Sequence, residues 1–174
     1  VPIHERELAE AAGLGSIGKH TLLITPQAGS WVLLGCIVTT LPLEPTGEPD
    51  STGMDHCGSC TRCIDACPTD AIIKPYVVDG SRCISYLTIE LKDEIPKEFQ
   101  DKMDNWIFGC DICQDVCPWN RFSKPHQEKE FEPGGWENFT RDDWNELTEE
   151  VFRKVFKKSA VKRDPHRAQT KVHP

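Results

Sequence analysis

Cys57-Gly-Ser-Cys60-Thr-Arg-Cys63-Ile-Asp-Ala-Cys67-Pro68 packs four thiols into eleven residues and ends them at a proline. Three cysteines at a spacing of three let one short loop wrap three corners of a 4Fe-4S cubane, while a fourth before proline serves the other cluster in two-cluster chains. A second run, Cys110-Asp-Ile-Cys113-Gln-Asp-Val-Cys117-Pro118, repeats the last three cysteines and the proline, with Ile107 where a first cysteine would stand. Cys83 is the spare thiol that replaces it. If the fourth cysteine of each run crosses over, cluster one takes Cys57, Cys60, Cys63 and Cys117, and cluster two takes Cys67, Cys83, Cys110 and Cys113.

Other chemistries suit these cysteines less well. Four-cysteine zinc sites bring two separated pairs together, and a run of four closing at proline is not their pattern. Disulfides belong to small secreted chains, no signal peptide is visible, and cysteines three apart make poor bridges. The ninth cysteine, Cys36, lies in Trp31-Val-Leu-Leu-Gly-Cys36-Ile-Val38, which reads as a buried strand; there a free cysteine acts as a small hydrophobe.

The chain has 174 residues and starts at Val1 without an initiating methionine, so it reads as an N-terminally truncated piece of a longer polypeptide. Its longest apolar run, Trp31 to Val38, falls far short of the about 20 residues that span a bilayer. With metal-type cysteine usage, this points to a cytoplasmic protein without a membrane partner. The net charge of -8, from 28 acids against 20 bases, argues against a nucleic-acid partner for the body. From Arg153 to Pro174, however, eight basic residues face the single acid Asp164. That tail suits either a phosphate backbone or a helix end whose bases complement its dipole.

Residues Ile3 to Ala12 read as a helix stopped by Gly13. Thr21 to Thr25 and Trp31 to Thr40 are β-prone and separated by a Pro-Gly turn segment, which predicts a hairpin. Prolines and glycines from Leu41 to Asp55 mark a linker. Beyond it the pattern predicts a helical turn over Thr69 to Ile73, a short strand over Tyr76 to Asp79, and helices over Cys83 to Leu91 and Trp144 to Lys158.

Gly13-Leu-Gly15-Ser-Ile-Gly18 satisfies G-x-G-x-x-G, and Gly13 to Lys19 most of a P-loop. Those motifs need a strand before and a helix after, whereas here a helix precedes and a strand follows. His20 also stands where a P-loop has Ser or Thr. The turn is therefore either an anion-binding nest helped by Lys19 or purely structural.

Five stretches resemble the cobalamin-dependent epoxyqueuosine reductases, which complete queuosine formation in tRNA. They are residues 12–24, Ala28-Gly-Ser-Trp31, the first cysteine run with Pro68-Thr-Asp-Ala-Ile72, Arg82-Cys-Ile-Ser-Tyr-Leu-Thr-Ile-Glu90, and residues 109–122. The resemblance implies an α+β chain: a two-cluster 4Fe-4S ferredoxin-like domain attached to the end of a nitroreductase-like cobalamin-binding domain. Its divisions would be 1–53 for the last part of the cobalamin domain plus linker, 54–122 for the ferredoxin-like domain, and 123–174 for a helical C-terminal tail. It implies an oxidoreductase in which electrons pass through two clusters to cobalamin, driving reduction of epoxyqueuosine to queuosine. Cubane potentials extend low enough for that task.

By the same resemblance, cobalamin contacts come from Gly18, Lys19 and Thr21, from Tyr86 and Thr88, and from Phe108 and Gly109; Tyr86 and Phe108 serve equally well as shields for the clusters. The family's catalytic aspartate would precede Val1, so no catalytic residue is assigned here and the chain alone is expected to be inactive. Ser16 departs from the tryptophan frequent in the family, and the sequence after Arg163 leaves its pattern. Partners would be epoxyqueuosine-containing tRNA and an unidentified electron donor, with the protein a monomer. The alternative is a ferredoxin-type electron-transfer module serving another enzyme, which would not need the first 40 residues.

Overall fold

The helix-forming run Glu5–Ala11 builds α1, with Glu5 and Glu7 at its positive end. It closes as a Schellman turn: Gly13, at φ 72°, donates to the Glu10 carbonyl and Leu14 to that of Ala9, at 2.9 and 3.0 Å. In this computed structural model the described residues are 3–44, 55–104, 106–132 and 134–163. They form two compact units, Val1–Asp79 with Asp111–Pro125, and Gly80–Cys110 with His126–Pro174.

In the first unit, β1 (Ser16–Ile17) pairs antiparallel with β2 (Leu23–Ile24), in the register Ser16↔Ile24 and Ile17↔Leu23. Leu23 and Ile24 are buried beneath α1. Gly15 explains itself here: an added Cβ would lie 2.9 Å from the Ile24 carbonyl carbon and closer still to its oxygen. A helix therefore precedes the glycine turn and a short strand lies inside it, the reverse of a dinucleotide-binding turn.

The expected hairpin between 21–25 and 31–40 does not form. β2 takes its partner from Ser16 and Ile17 instead, and residues 31–40 carry no strand. Leu33, Ile37 and Val38 stand at least 85% exposed, and Cys36, expected in a core, is exposed as well. An apolar run becomes a buried strand only where a ladder and a second layer meet it, and none does among the described residues. Residues 45–54 of the expected linker lie outside the described residues, as do 164–174 of the basic tail.

Each cysteine run builds one helical turn, α2 (Arg62–Asp65) and α5 (Ile112–Asp115). The shared sequence pattern gives a shared backbone. Thr61 and Asp111 cap them at φ, ψ of -126°, 9° and -116°, 8°, and Ala66 and Val116 end them at -87°, -11° and -83°, -6°. Pro68 and Pro118 then forbid further helix. Between the runs, β3 (Ile72–Lys74) and β4 (Val77–Val78) pair antiparallel around Pro75 and Tyr76. The helical turn expected over Thr69 to Ile73 is absent. Asp70 at φ 52° turns the chain, and β-branched Ile72 and Ile73 before Pro75 favour the extended form.

The second unit holds two apolar clusters. α3 (Ile84–Ile89) buries Ile84 and Leu87 against Phe99 of α4 (Lys97–Gln100) and Met103. The helix expected over Trp144 to Lys158 is two helices, α6 (Arg141–Asn145) and α7 (Glu149–Val155). The break falls at Thr148, whose hydroxyl caps the Val151 amide of α7, while Thr140 and Asp143 close a capping box on α6. Trp144, Leu147, Phe152, Phe156 and Val161 form the core between them, with Trp144 stacked on Phe156 at 5.5 Å.

Candidate metal centre

Cys57 sits on a loop that Asp55 starts, its carboxylate accepting from the Cys57 amide at 2.9 Å in an Asx turn. That bond, then the Tyr76 hydroxyl at 3.0 Å, holds the Asp55 carboxyl below its ordinary range. The loop continues through Gly58 until the Cys60 amide donates to the Cys57 carbonyl at 2.9 Å. Cys63, on α2, and Cys117, after α5, are buried.

The thiols expected to hold the first cluster feel one another. Burial pushes the Cys63 thiol up to about 11, and Cys57, Cys117 and Cys60 push it the same way. Burial also raises Cys57, with Asp55 and Cys117 adding to the rise and Lys19 opposing it. Four thiols from two runs thus lie within electrostatic reach of one another in the first unit, where their thiolate forms need a cationic centre. Among the described residues, no three His, Cys, Asp or Glu side chains converge as a single ion requires. A cubane spreads its thiolates over four irons, so this donor set fits a cluster. Backbone amides also point at sulfur: Lys19 donates to Cys57 Sγ and Ala71 to Cys67 Sγ, both at 3.3 Å.

Of the second expected set, Cys67 and Cys113 belong to the first unit, Cys83 and Cys110 to the second. Cys83 occupies the N-cap of α3, and Cys110 packs against the Ile84 cluster. All nine cysteines are free of disulfides.

The residues expected around cobalamin differ in what they have left to offer. Gly18 is buried, and a Cβ on it would meet the Ile24 side chain at 2.6 Å. Lys19 turns inward, its ammonium donating to the carbonyls of Gly58 and Cys60 at 2.6 and 2.9 Å. Thr21, at φ 67°, is held by Arg6 at both its carbonyl and its hydroxyl. In the second unit the Thr88 hydroxyl donates to the Ile84 carbonyl at 2.7 Å and accepts from the Gly109 amide at 3.0 Å. Phe108 packs on the Trp144 cluster. Tyr86 is 40% exposed, and nothing lies within 4 Å of the Cβ position of Gly109. Of the seven, Tyr86 and Gly109 thus have open space beside them, while the Thr88 hydroxyl holds Gly109 in place.

Sequence reasoning missed the polar frame behind the cysteines. Asn120 accepts from the Ser30 amide at 2.6 Å and donates to the Gln114 carbonyl at 2.7 Å, clamping the 25–30 loop to the second run. The Trp119 indole donates to the His56 carbonyl at 2.7 Å, and Ser16 hydrogen-bonds the His56 ring. Asp55, two residues before Cys57, carried a readable Asx-turn signal; the longer-range pairs carried none. Near Cys117 an open cleft of about 800 Å³ is lined by Trp31, Arg62, Asp65, Asp115 and Arg121. No helix among the described residues is long and apolar enough to cross a membrane.

The 4Fe-4S double cluster binding domain family matches residues 56–120, spanning both cysteine runs and Cys83. Epoxyqueuosine reductase of Cellulophaga algicola is 57% identical over 163 residues, 93% of this chain and 52% of that protein. The Escherichia coli protein of the same name is 47% identical over 168 residues, 95% of this chain and 43% of its own length. A crystal structure of epoxyqueuosine reductase with an epoxyqueuosine-modified tRNA-Tyr stem loop superposes with a TM-score of 0.85 at 36% identity, covering 97% of this chain and 44% of that one. The Streptococcus thermophilus structure gives 0.73 at 33% identity, over 98% and 46%. The chain spans about half the length of the curated relatives it matches. Over that half, in sequence and in fold, it belongs with the epoxyqueuosine reductases.

Proposed function

We infer that this chain is the electron-delivering half of an enzyme that reduces epoxyqueuosine to queuosine in tRNA. The observation that carries the reading is that Cys57, Cys60, Cys63 and Cys117, drawn from two runs, lie within electrostatic reach of one another, with the Lys19 amide donating to the Cys57 sulfur. These four hold the first 4Fe-4S cluster, and Cys67, Cys83, Cys110 and Cys113 the second. The cleft beside Cys117 gives an electron donor its approach to the first cluster.

Clusters held by these cysteines would supply one-electron chemistry at low potential. A cobalamin, when bound, supplies the low-valent metal chemistry that removes the epoxide oxygen. Tyr86 and Gly109 form part of its seat, and the nitroreductase-like domain of the longer protein supplies the rest. What this chain does is hold the thiolates, exclude water from Cys63 and Cys117, and fix Gly109 through Thr88. The general acid lies outside this chain, and its absence alone costs roughly 10² to 10⁴ in rate.

The test supplies this chain, and in parallel a full-length relative, with cobalamin, a low-potential reductant and epoxyqueuosine-containing tRNA, reading queuosine by mass spectrometry. The expected result is queuosine from the relative only with corrinoid, and none from the chain alone. Corrinoid-independent product would overturn the mechanism. A chain that holds both clusters but belongs to a protein making no queuosine would favour the electron-transfer module.

A further inference from the structure

Lys19, which the sequence assigns to an anion-binding nest or a cobalamin contact, is a cation that the fold buries, at 8% exposure. A buried ammonium is costly unless its hydrogens find acceptors and its charge finds a counter-charge. The acceptors are the Gly58 and Cys60 carbonyls, both inside the loop that presents three ligands of the first cluster. The Lys19 amide meanwhile donates to Cys57 Sγ, and its carbonyl accepts from the Tyr76 amide at 3.0 Å. One residue therefore grips the cysteine loop at three atoms.

We propose that Lys19 is a positioning residue of the first cluster and supplies the cluster's counter-charge, so that it favours the reduced state. The proposal rests on the cluster reading above and adds to it a role for a residue outside the cysteine motif. Four thiolates give a bound cubane a net negative charge, and one-electron reduction makes that charge more negative by one. No proton need accompany the electron. A fixed cation bound to the cluster loop in a poorly solvated site stabilises the reduced form more than the oxidised one. A residue that merely stapled the loop would act on cluster retention and leave the potential of the retained cluster where it was.

The experiment compares the anaerobically purified, cluster-loaded chain with Lys19→Gln and Lys19→Met, using iron content and an EPR-monitored redox titration with dithionite as electron source. Glutamine keeps a donor for the two carbonyls but no charge, so it separates the two roles. The expected result is that one of the two one-electron steps moves to lower potential in both variants. The reduced-to-oxidised ratio at fixed potential should fall about tenfold, which is about 59 mV for one electron. Lys19→Arg, which keeps the charge, should stay within about threefold of the parent ratio, a bound set by the modest cost of re-aiming one hydrogen-bonded cation. Iron-replete Lys19→Gln with both midpoints unchanged would overturn the inference and leave the cluster reading standing. A parent chain without iron would overturn both.

Discussion

Replacing Gly29 by alanine tests how the first unit holds its second cysteine run. Gly29 sits at φ 63°, and a Cβ there would lie 2.9 Å from the Trp119 carbonyl oxygen and closer still to the Asn120 side-chain oxygen. Left-handed backbone costs an L-residue about 1 to 2 kcal/mol, against which the stiffer unfolded chain returns about 0.5. The larger cost is displacement of Asn120, which accepts from the Ser30 amide at 2.6 Å and is itself tied to the Gln114 carbonyl. A part-buried amide left without its acceptor costs about 1 to 3 kcal/mol. The sum is about 1.5 to 4.5 kcal/mol, which lowers the melting temperature of a chain this size by roughly 3 to 18 °C. Thermal unfolding followed by tryptophan fluorescence and cluster absorbance should show both signals lost together and earlier. Gly35→Ala is the control, because nothing lies within 4 Å of its Cβ position and φ there is not positive. A Gly29→Ala chain that melts with the Gly35→Ala chain would refute the clamp.

Burial lowers the His20 pKa from 6.5 to about 4, so the unfolded chain binds more protons between those values. The stability this gives is complete above pH 6.5 and drains as pH falls toward 4, by about 1.4 kcal/mol per unit at most. Unfolding measured at pH 7, 6 and 5 should show a steeper decline for the parent than for His20→Gln, and parallel declines would contradict the assignment. Cys83→Ala should remove about half of the iron and sulfide, while Cys36→Ala, at an exposed position, should keep about eight of each. Equal losses from the two variants would undo the ligand assignment.

The cysteine runs were legible because their information is local: spacing and a closing proline determine the one-turn helices α2 and α5 wherever the rest of the chain goes. α1 and its Gly13 stop were legible for the same reason. The hairpin was not. The β-propensity of Val32, Leu33, Leu34, Ile37 and Val38 reports fitness for a half-buried pleat and says nothing about whether a partner strand arrives. The true partner of β2 is Ser16–Ile17, two residues in a glycine-rich stretch with no alternation to read. The break between α6 and α7 was readable and overlooked. Leu147, Val151 and Val155 keep helical spacing across it, but Thr148-Glu149-Glu150 is an N-terminal cap signal. The task of Lys19 was out of reach, since it depends on a contact across some forty residues that no spacing encodes.

The exposed run from Trp31 to Leu43 has a colloidal consequence. It carries no charged side chain, and Leu33, Ile37, Val38, Leu41 and Leu43 all stand more than half exposed. A net charge of -8 keeps molecules apart at long range, but a neutral, β-prone strip works at contact distance, where strands template one another. The solubility limit of the chain is therefore set by these thirteen residues more than by its overall acidity. A lysine at position 37 or 38 would raise that limit while touching neither cysteine run, because both side chains already stand in solvent.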